Sequence, residues 1–471
     1  MITQKKGELP KAVLVGIQLP GIDQAELQSS LQELTRLVTT LGYRVIGQVT
    51  QKRSSDRSAL ILGDGKMQDL ARWTGGSGKV ASLVDRKKSK AALKWEEERS
   101  SEDEIEEEII EDEESESQEQ EITEKADIVI VDCDLSPSQL RNLESATGVS
   151  VLDRTGVIIE IFSRHAKTKT ARLQVEIARL TYVAPRMRET GGGDDREGGG
   201  GKGVGESALE LDKRKIRDRI KELKTELSAI SNEHEVRRAR RSQEISVALV
   251  GYTNAGKSSL MRALTGSDIL VADKLFATLD TTIRPLYPES RPKILISDTV
   301  GFIKKLPHDL VASFKSTLDE ALHASLLLYV VDSSDPSFRT QLEVTQKVLD
   351  EVGATDVPHL LVLNKRDNLS DEEQAQLAAE YPNSILISTR NPEDLKNLRD
   401  KILSYFESEM VDEDLFIPYL VQGAIIGDIR ARVRVLAESY NELGVTLKIR
   451  ATPDALEHFQ SQLKSLVKPR R

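Results

Sequence analysis

The chain has 471 residues, 38% of them hydrophobic and 4% aromatic, with a formal net charge of −11. That length predicts about three domains, each able to bury a core, and no apolar run approaches the roughly 18 to 20 residues that span a bilayer. One cysteine, Cys133, excludes an intramolecular disulfide, and Met1 to Pro20 lacks a secretory apolar core, so a cytosol-like compartment is expected. The charge is uneven: Glu96 to Glu124 holds 17 acids against one base, Arg99, which leaves the rest of the chain at +5 and electrostatically compatible with RNA.

In chain order, Ala12 to Ile17 reads as a strand, Ala25 to Leu41 has helical spacing, and Ile61 to Arg72 begins with a turn. The alternation argues for an α/β domain over 1–165. An insertion from about 79 to 125 interrupts it with the basic patch Arg86-Lys87-Lys88-Ser89-Lys90 and the acidic run. Self-repulsion and few apolar side chains make that run a solvated tract, with a nucleic-acid-mimicking arm as the other reading. The pattern resumes with the strand Ile128 to Cys133, a helix opened by Ser136-Pro137-Ser138, and a strand expected over Val157 to Phe162.

Leu173, Ile177, Leu180 and Ala184, then Leu209, Ile216, Ile220, Leu223, Leu227 and Ile230, recur at helical spacing on either side of the glycine-rich stretch 191–205. They predict an antiparallel two-helix hairpin over 166–241, the first helix ended by Pro185 and the second running into Arg237-Arg238-Ala239-Arg240-Arg241. The glycine-rich tip reads as a flexible linker, with Lys202 available for phosphate contact. After a third domain at 242–408, residues 413–471 form a small α/β appendage: helical spacing over Gly427 to Leu443, a strand Val445 to Arg450 and a helix Pro453 to Leu466.

The third domain carries the chemistry. The buried strand Ile245 to Val250 runs into Gly251-Tyr252-Thr253-Asn254-Ala255-Gly256-Lys257-Ser258, and a helix follows through Leu264. Glycines let backbone N–H groups wrap phosphates at a helix N-terminus, Lys257 neutralises the β and γ phosphates, and the Ser258 hydroxyl ligates magnesium. About 40 residues on, the strand Lys293 to Ser297 ends in Asp298-Thr299-Val300-Gly301, where a carboxylate completes the metal site and the Gly301 amide faces the γ phosphate. The strand Leu360 to Leu363 leads into Asn364-Lys365-Arg366-Asp367, whose Asp367 accepts from guanine N1–H and its 2-amino group, a pairing that adenine cannot match. Beyond the strand Ile385 to Ile387, Ser388-Thr389-Arg390 stands where a short loop supports the guanine oxygen.

Between the first two motifs, Phe276-Ala277-Thr278-Leu279-Asp280-Thr281-Thr282 supplies hydroxyls for a loop that senses the γ phosphate through magnesium. Thr278 lies deeper in that loop, whereas Thr282 abuts the strand Ile283 to Leu286 and reads as a turn cap. Spacing alone does not choose among Thr278, Thr281 and Thr282, and Thr278 is favoured. The reading is a GTP and GDP site with Ser258, Asp298 and the favoured Thr278 on Mg2+, and with Lys257, Thr278 and Gly301 at the reacting phosphate.

These motifs together resemble the translation-factor class of GTPases. Gly63-Asp64-Gly65-Lys66, Leu135-Ser136-Pro137-Ser138-Gln139, Asp153-Arg154-Thr155-Gly156, Leu173-Gln174-Val175-Glu176, Gly203-Val204-Gly205-Glu206 and Leu275-Phe276-Ala277-Thr278-Leu279-Asp280 narrow the resemblance to the HflX family, over nearly the whole chain. Gly63 to Lys66 lacks phosphate-loop spacing and is no second nucleotide site. The resemblance implies that Thr278 is the magnesium ligand. It also implies that the protein binds the large ribosomal subunit, the first domain and hairpin reaching toward ribosomal RNA, and splits stalled ribosomes. DNA is not an expected partner, and a cytoplasmic monomer is expected, with transient association with a membrane as the other localisation. Asn254 stands where some relatives hold a potassium ion, with a loop-stabilising hydrogen bond as the other reading.

Two departures, the acidic insertion and Asp194-Asp195-Arg196-Glu197 in the glycine-rich tip, put negative charge near a presumed RNA-facing domain. Phe302 follows Gly301 where many GTPases have a water-orienting glutamine, so slow intrinsic turnover raised by a bound partner is expected. The alternatives are a large-subunit assembly factor, or a protein that parks on ribosomes or on a membrane-protein regulator with GTP as a structural ligand.

Overall fold

The computed structural model describes residues 9–56, 58–80, 124–187, 208–241, 244–267, 275–276, 281–305, 320–408 and 410–467. The basic patch 86–90, nearly all of the acidic run, the glycine-rich tip with Lys202, and the switch residues Ala277, Thr278, Leu279 and Asp280 lie outside them. The chain divides into two compact units, Met1–Ile158 and Ile159–Arg471.

The first unit alternates β1 (Lys11–Gln18), α1 (Gln24–Thr40), β2 (Arg44–Lys52), α2 (Asp64–Thr74), β3 (Ile128–Val131), α3 (Pro137–Thr147) and β4 (Ser150–Asp153), and α4 (Arg154–His165) follows without a break. Its strands form a parallel sheet in the order β2-β1-β3-β4. β1 and β3 read as near-continuous apolar runs because both faces of such a sheet are covered. α3 starts as its sequence demands, with a reciprocal capping box between Ser136 and Gln139 and Pro137 in the first turn.

The strand expected over Val157 to Phe162 is instead the body of α4. Its apolar residues are buried (Val157, Ile158 and Ile161 fully), and the Asp153 carboxylate accepts the Gly156 N–H at 2.8 Å in the manner of an N-cap. Burial on all sides overrides the β preference of a branched run, and the strand falls to Ser150–Asp153. Arg154 at the head of α4 is almost fully buried, 2.6 Å from Asp132 and 3.0 Å from Glu33.

In the second unit, α5 (Lys169–Val183) closes in a single turn at Ala184–Arg186 containing Pro185, and α6 (Ala208–Arg241) returns along it. Lys169 pairs with Glu226 and Glu176 with Arg219, so rising numbers on one helix meet falling numbers on the other: the hairpin is antiparallel. Leu173, Ile177 and Leu223 form its seam. Next come β5 (Ile245–Val250), α7 (Lys257–Thr265), β6 (Thr282–Pro285), β7 (Ile294–Asp298), β8 (Leu326–Asp332), α8 (Phe338–Val352), β9 (His359–Asn364), α9 (Asp371–Glu380), β10 (Ile385–Leu386) and α10 (Pro392–Ser408). They build a six-stranded sheet, β10-β9-β8-β5-β7-β6, parallel except for β6.

The chain then forms β11 (Val411–Pro418), α11 (Tyr419–Arg432), β12 (Arg434–Tyr440), β13 (Gly444–Ala451) and α12 (Pro453–Val467), with an antiparallel sheet in the order β11-β13-β12. Here too an expectation fails: Gly427 to Leu443 is not one helix but the end of α11 followed by β12. β12 is an edge strand with nearly every side chain exposed, so it carries no alternating pattern to read.

Candidate nucleotide site

β5 is followed by Gly251, whose φ is +150°; a Cβ there would stand 2.1 Å from the Val330 carbonyl oxygen. Gly256, at φ +96°, would drive a Cβ to 2.2 Å from Asn364 Nδ2. Both positions need glycine, for backbone conformation and for close approach. α7 begins at Lys257, so the loop amides and the first helical turn converge on one spot, the arrangement that attracts phosphate.

Lys257 is buried, and its Nζ donates to the carbonyls of Gly251 (3.0 Å) and Tyr252 (2.8 Å). Burial lowers its pKa to about 8, opposed by the nearby charge of Asp298. Ser258 Oγ donates to Asp298 Oδ2 at 2.6 Å, joining residues 40 apart in sequence. Asp298 ends β7 in register with Leu249 of β5 and is fully buried. Two hard oxygen donors thus meet beside a buried ammonium, a donor set that fits magnesium.

A Cβ on Gly301 would lie 2.8 Å from Thr253 Cγ2 and 2.9 Å from both Lys257 Nζ and Thr253 Cα. Phe302 is buried, donates its N–H to Gly251 O (3.1 Å) and accepts the Thr253 N–H (2.8 Å). The Tyr252 hydroxyl accepts the Lys304 N–H at 2.5 Å. Phe302 is therefore a backbone strap between the two phosphate-facing segments, and its ring belongs to the core.

Thr278, the central switch residue of the sequence reading, is outside the described residues, as are Ala277, Leu279 and Asp280. Its neighbour Phe276 is buried at φ +58° and packs edge-on to Phe162 of α4, ring centres 4.6 Å apart. Thr282 is the first residue of β6, paired opposite Asp298, and not a turn cap. Asn254 is exposed at φ +62°.

On the base side, Asn364 ends β9 and donates from Nδ2 to Ala255 O at 2.9 Å, locking the base loop to the phosphate loop across 109 residues. Its carbonyl accepts the Ser333 hydroxyl (2.6 Å) and N–H (3.0 Å). Lys365, at φ +64°, pairs with Asp332 at 2.6 Å. Asp367 and Arg390 approach to 3.3 Å beside a cavity of about 480 Å³ whose lining includes Ser388 and Asn391. Ser388 is buried and its hydroxyl accepts the Arg390 N–H at 3.2 Å, while Thr389 is half-buried between them.

The sequence reading missed Asp332 and Asp394. Asp332 had a signal, since it closes the apolar run Leu326 to Val331 as Asp298 closes its own strand. Asp394, which accepts the Ser388 N–H at 2.8 Å, belongs to no motif.

Family models match this architecture segment by segment: a GTP-binding GTPase N-terminal region at 28–111 and 106–163, a GTP-binding GTPase middle region at 165–241 and a 50S ribosome-binding GTPase at 246–365. A GTPase HflX from Gluconacetobacter diazotrophicus is 55% identical over 460 residues, covering 98% of this chain and 99% of its own. The chain belongs to the HflX family of GTPases. A second HflX, from Caldanaerobacter subterraneus subsp. tengcongensis, is 36% identical and covers 96% of this chain and 93% of its own. Among solved structures, a GTP-binding protein from Sulfolobus solfataricus in complex with GDP is 24% identical, covering 84% of this chain and 98% of its own at a TM-score of 0.40. As an HflX-family GTPase the chain is a GTP-hydrolysing enzyme with an α/β fold built around a P-loop domain. No helix among its described residues is long and apolar enough to cross a membrane.

Proposed function

We propose that this GTPase binds the large ribosomal subunit, including its RNA, and splits stalled or idle ribosomes into subunits, working in the cytoplasm as a monomer. Membership of the HflX family and the match of 246–365 to a 50S ribosome-binding GTPase model support the partner. The observation that carries the mechanism is Phe302. A strapped core residue follows Gly301, so the side chain there cannot turn toward an attacking water. Turnover by the chain alone is slow, and the ribosome raises it by ordering the switch segments.

In this reading Lys257 neutralises the β and γ phosphates, the Gly301 amide faces the γ phosphate, and Asn364, Lys365, Arg366 and Asp367 with Ser388, Thr389 and Arg390 hold the guanine. Ser258, Thr278 and Asp298 hold Mg2+. The 2.6 Å approach of Ser258 to Asp298 supports that assignment. Mg2+ held by Ser258, Thr278 and Asp298 would supply charge neutralisation at the phosphate oxygens for displacement of GDP by water at the γ phosphorus. The exposed Asn254 is the candidate potassium ligand, and equal turnover in potassium and sodium buffers removes that role.

Sucrose-gradient sedimentation of ribosomes with the protein and GTP, GDP or a nonhydrolysable analogue tests the function. Release of free subunits with GTP, and a rise in GTP turnover of more than about threefold on adding 50S subunits, are expected. Binding without subunit release, or preference for immature large subunits, overturns the splitting role.

A further inference from the structure

We propose that Asp394 is a positioning residue for guanine recognition, its buried carboxylate tying the loop of Asp367 to the loop of Ser388. It is 5% exposed and stands in the first turn of α10, where the helix N-terminus favours negative charge. One oxygen, Oδ2, takes both ties: the Ser388 N–H at 2.8 Å and Arg366 Nε at 2.7 Å. Arg366 precedes Asp367, and Ser388 precedes Thr389, so each tie falls within a loop assigned to the base.

The neighbouring contacts divide the work. Arg366 is also held through its backbone, its N–H donating to Ile387 O at 3.1 Å and its carbonyl accepting from Gln374 Nε2 at 3.2 Å. Those bonds, with the turn closed by the Leu369 N–H on the same carbonyl, hold the backbone at Arg366, and Asp394 adds a side-chain hold on that residue that reaches the Ser388 loop as well. The ion pair between Arg390 and Asp367 joins the same two loops, but Arg390 is 84% exposed and the pair is long. A solvated pair of that kind holds little against water. The Asp394 bridge is charge-assisted and short, and its carboxylate is buried, so it sets the spacing between the Asp367 carboxylate and the Ser388-Thr389 backbone. Guanine is read at both points at once, and an error of an ångström between them forfeits part of the recognition.

The proposal rests on the assignment of Asp367 to guanine, so three variants are compared in the full-length chain. Asp394→Ala is expected to raise the GDP Kd and the GTP KM about tenfold, at least about five times more than it changes kcat. It also narrows the preference for GDP over IDP, which lacks the 2-amino group that Asp367 accepts. Asp394→Asn keeps an acceptor for Ser388 and gives an intermediate loss. If Asp394→Ala does not fold by circular dichroism, the near-isosteric Asp394→Asn decides by the same criteria. A GDP Kd within about twofold of wild type, or a fall in kcat equal to the rise in KM with base preference unchanged, overturns the positioning role. Asp367→Asn separates the two readings. A shift toward xanthine nucleotide alongside a silent Asp394→Ala sinks this proposal alone, whereas no shift sinks the base assignment and this proposal with it.

Discussion

Burial works against the charged form of Lys257. Lowering its pKa from 10.5 to about 8 corresponds to about 3 kcal/mol against the folded chain wherever the lysine is protonated in both states. That penalty is fully present below pH 8. Between about 8 and 10.5 the unfolded chain binds the extra proton, so stability recovers as pH rises through the window. Lys257→Met is therefore expected to raise the melting temperature of the nucleotide-free protein at pH 7 and to abolish GTP binding. The gain should shrink toward zero by pH 10.5, and a pH-independent gain in thermal melts would count against burial as its cause. The two carbonyls left behind keep donors from Phe302 and Ala255, so no orphaned acceptor masks the effect. Gly301→Ala acts by steric contact: its Cβ meets the Thr253 side chain and backbone and the Lys257 ammonium. GTP turnover should fall about tenfold or more with the fold retained, as read by single-turnover assay and circular dichroism.

At the scale of elements, Asp153-Arg154-Thr155-Gly156 was legible in the sequence as a family mark, but its physical job was not. Asp153 starts α4 by accepting the Gly156 N–H, and Arg154 neutralises Asp132, which also accepts the Ser30 hydroxyl at 2.5 Å. A buried guanidinium shared by two carboxylates is expensive to break from one side, because the partners keep their charge. Arg154→Ala should destabilise the amino-terminal unit by about 3 to 5 kcal/mol in denaturant titration, with guanine nucleotide affinity unchanged. The two misread segments have different causes. A branched apolar run such as Val157 to Phe162 suits a strand or a buried helix equally until its neighbours are known, and the exposed edge strand β12 shows no apolar face at all. The hairpin, by contrast, was readable because its seam repeats Leu and Ile at helical spacing against a solvated opposite face.

For the whole molecule, charge is the property that reaches furthest. Deleting 96–124 changes the formal net charge from −11 to +5, so the shortened protein should stay on ribosomes at higher salt than the full chain in co-sedimentation. An unchanged salt profile would show that the acidic run does not face the ribosome. The sequence by itself determined the α/β class, the nucleotide type and the family, because a phosphate loop is one strand, one turn and one helix in succession, and local backbone chemistry writes it locally. Only the tertiary structure decided which distant groups meet. Ser258 finds Asp298, Asn364 reaches Ala255, and Phe302 straps the phosphate loop, because parallel strands bring their carboxyl ends to one edge whatever their distance along the chain. Asp394 belongs to the same class: its function depends on which two loops its carboxylate reaches, and no motif records that.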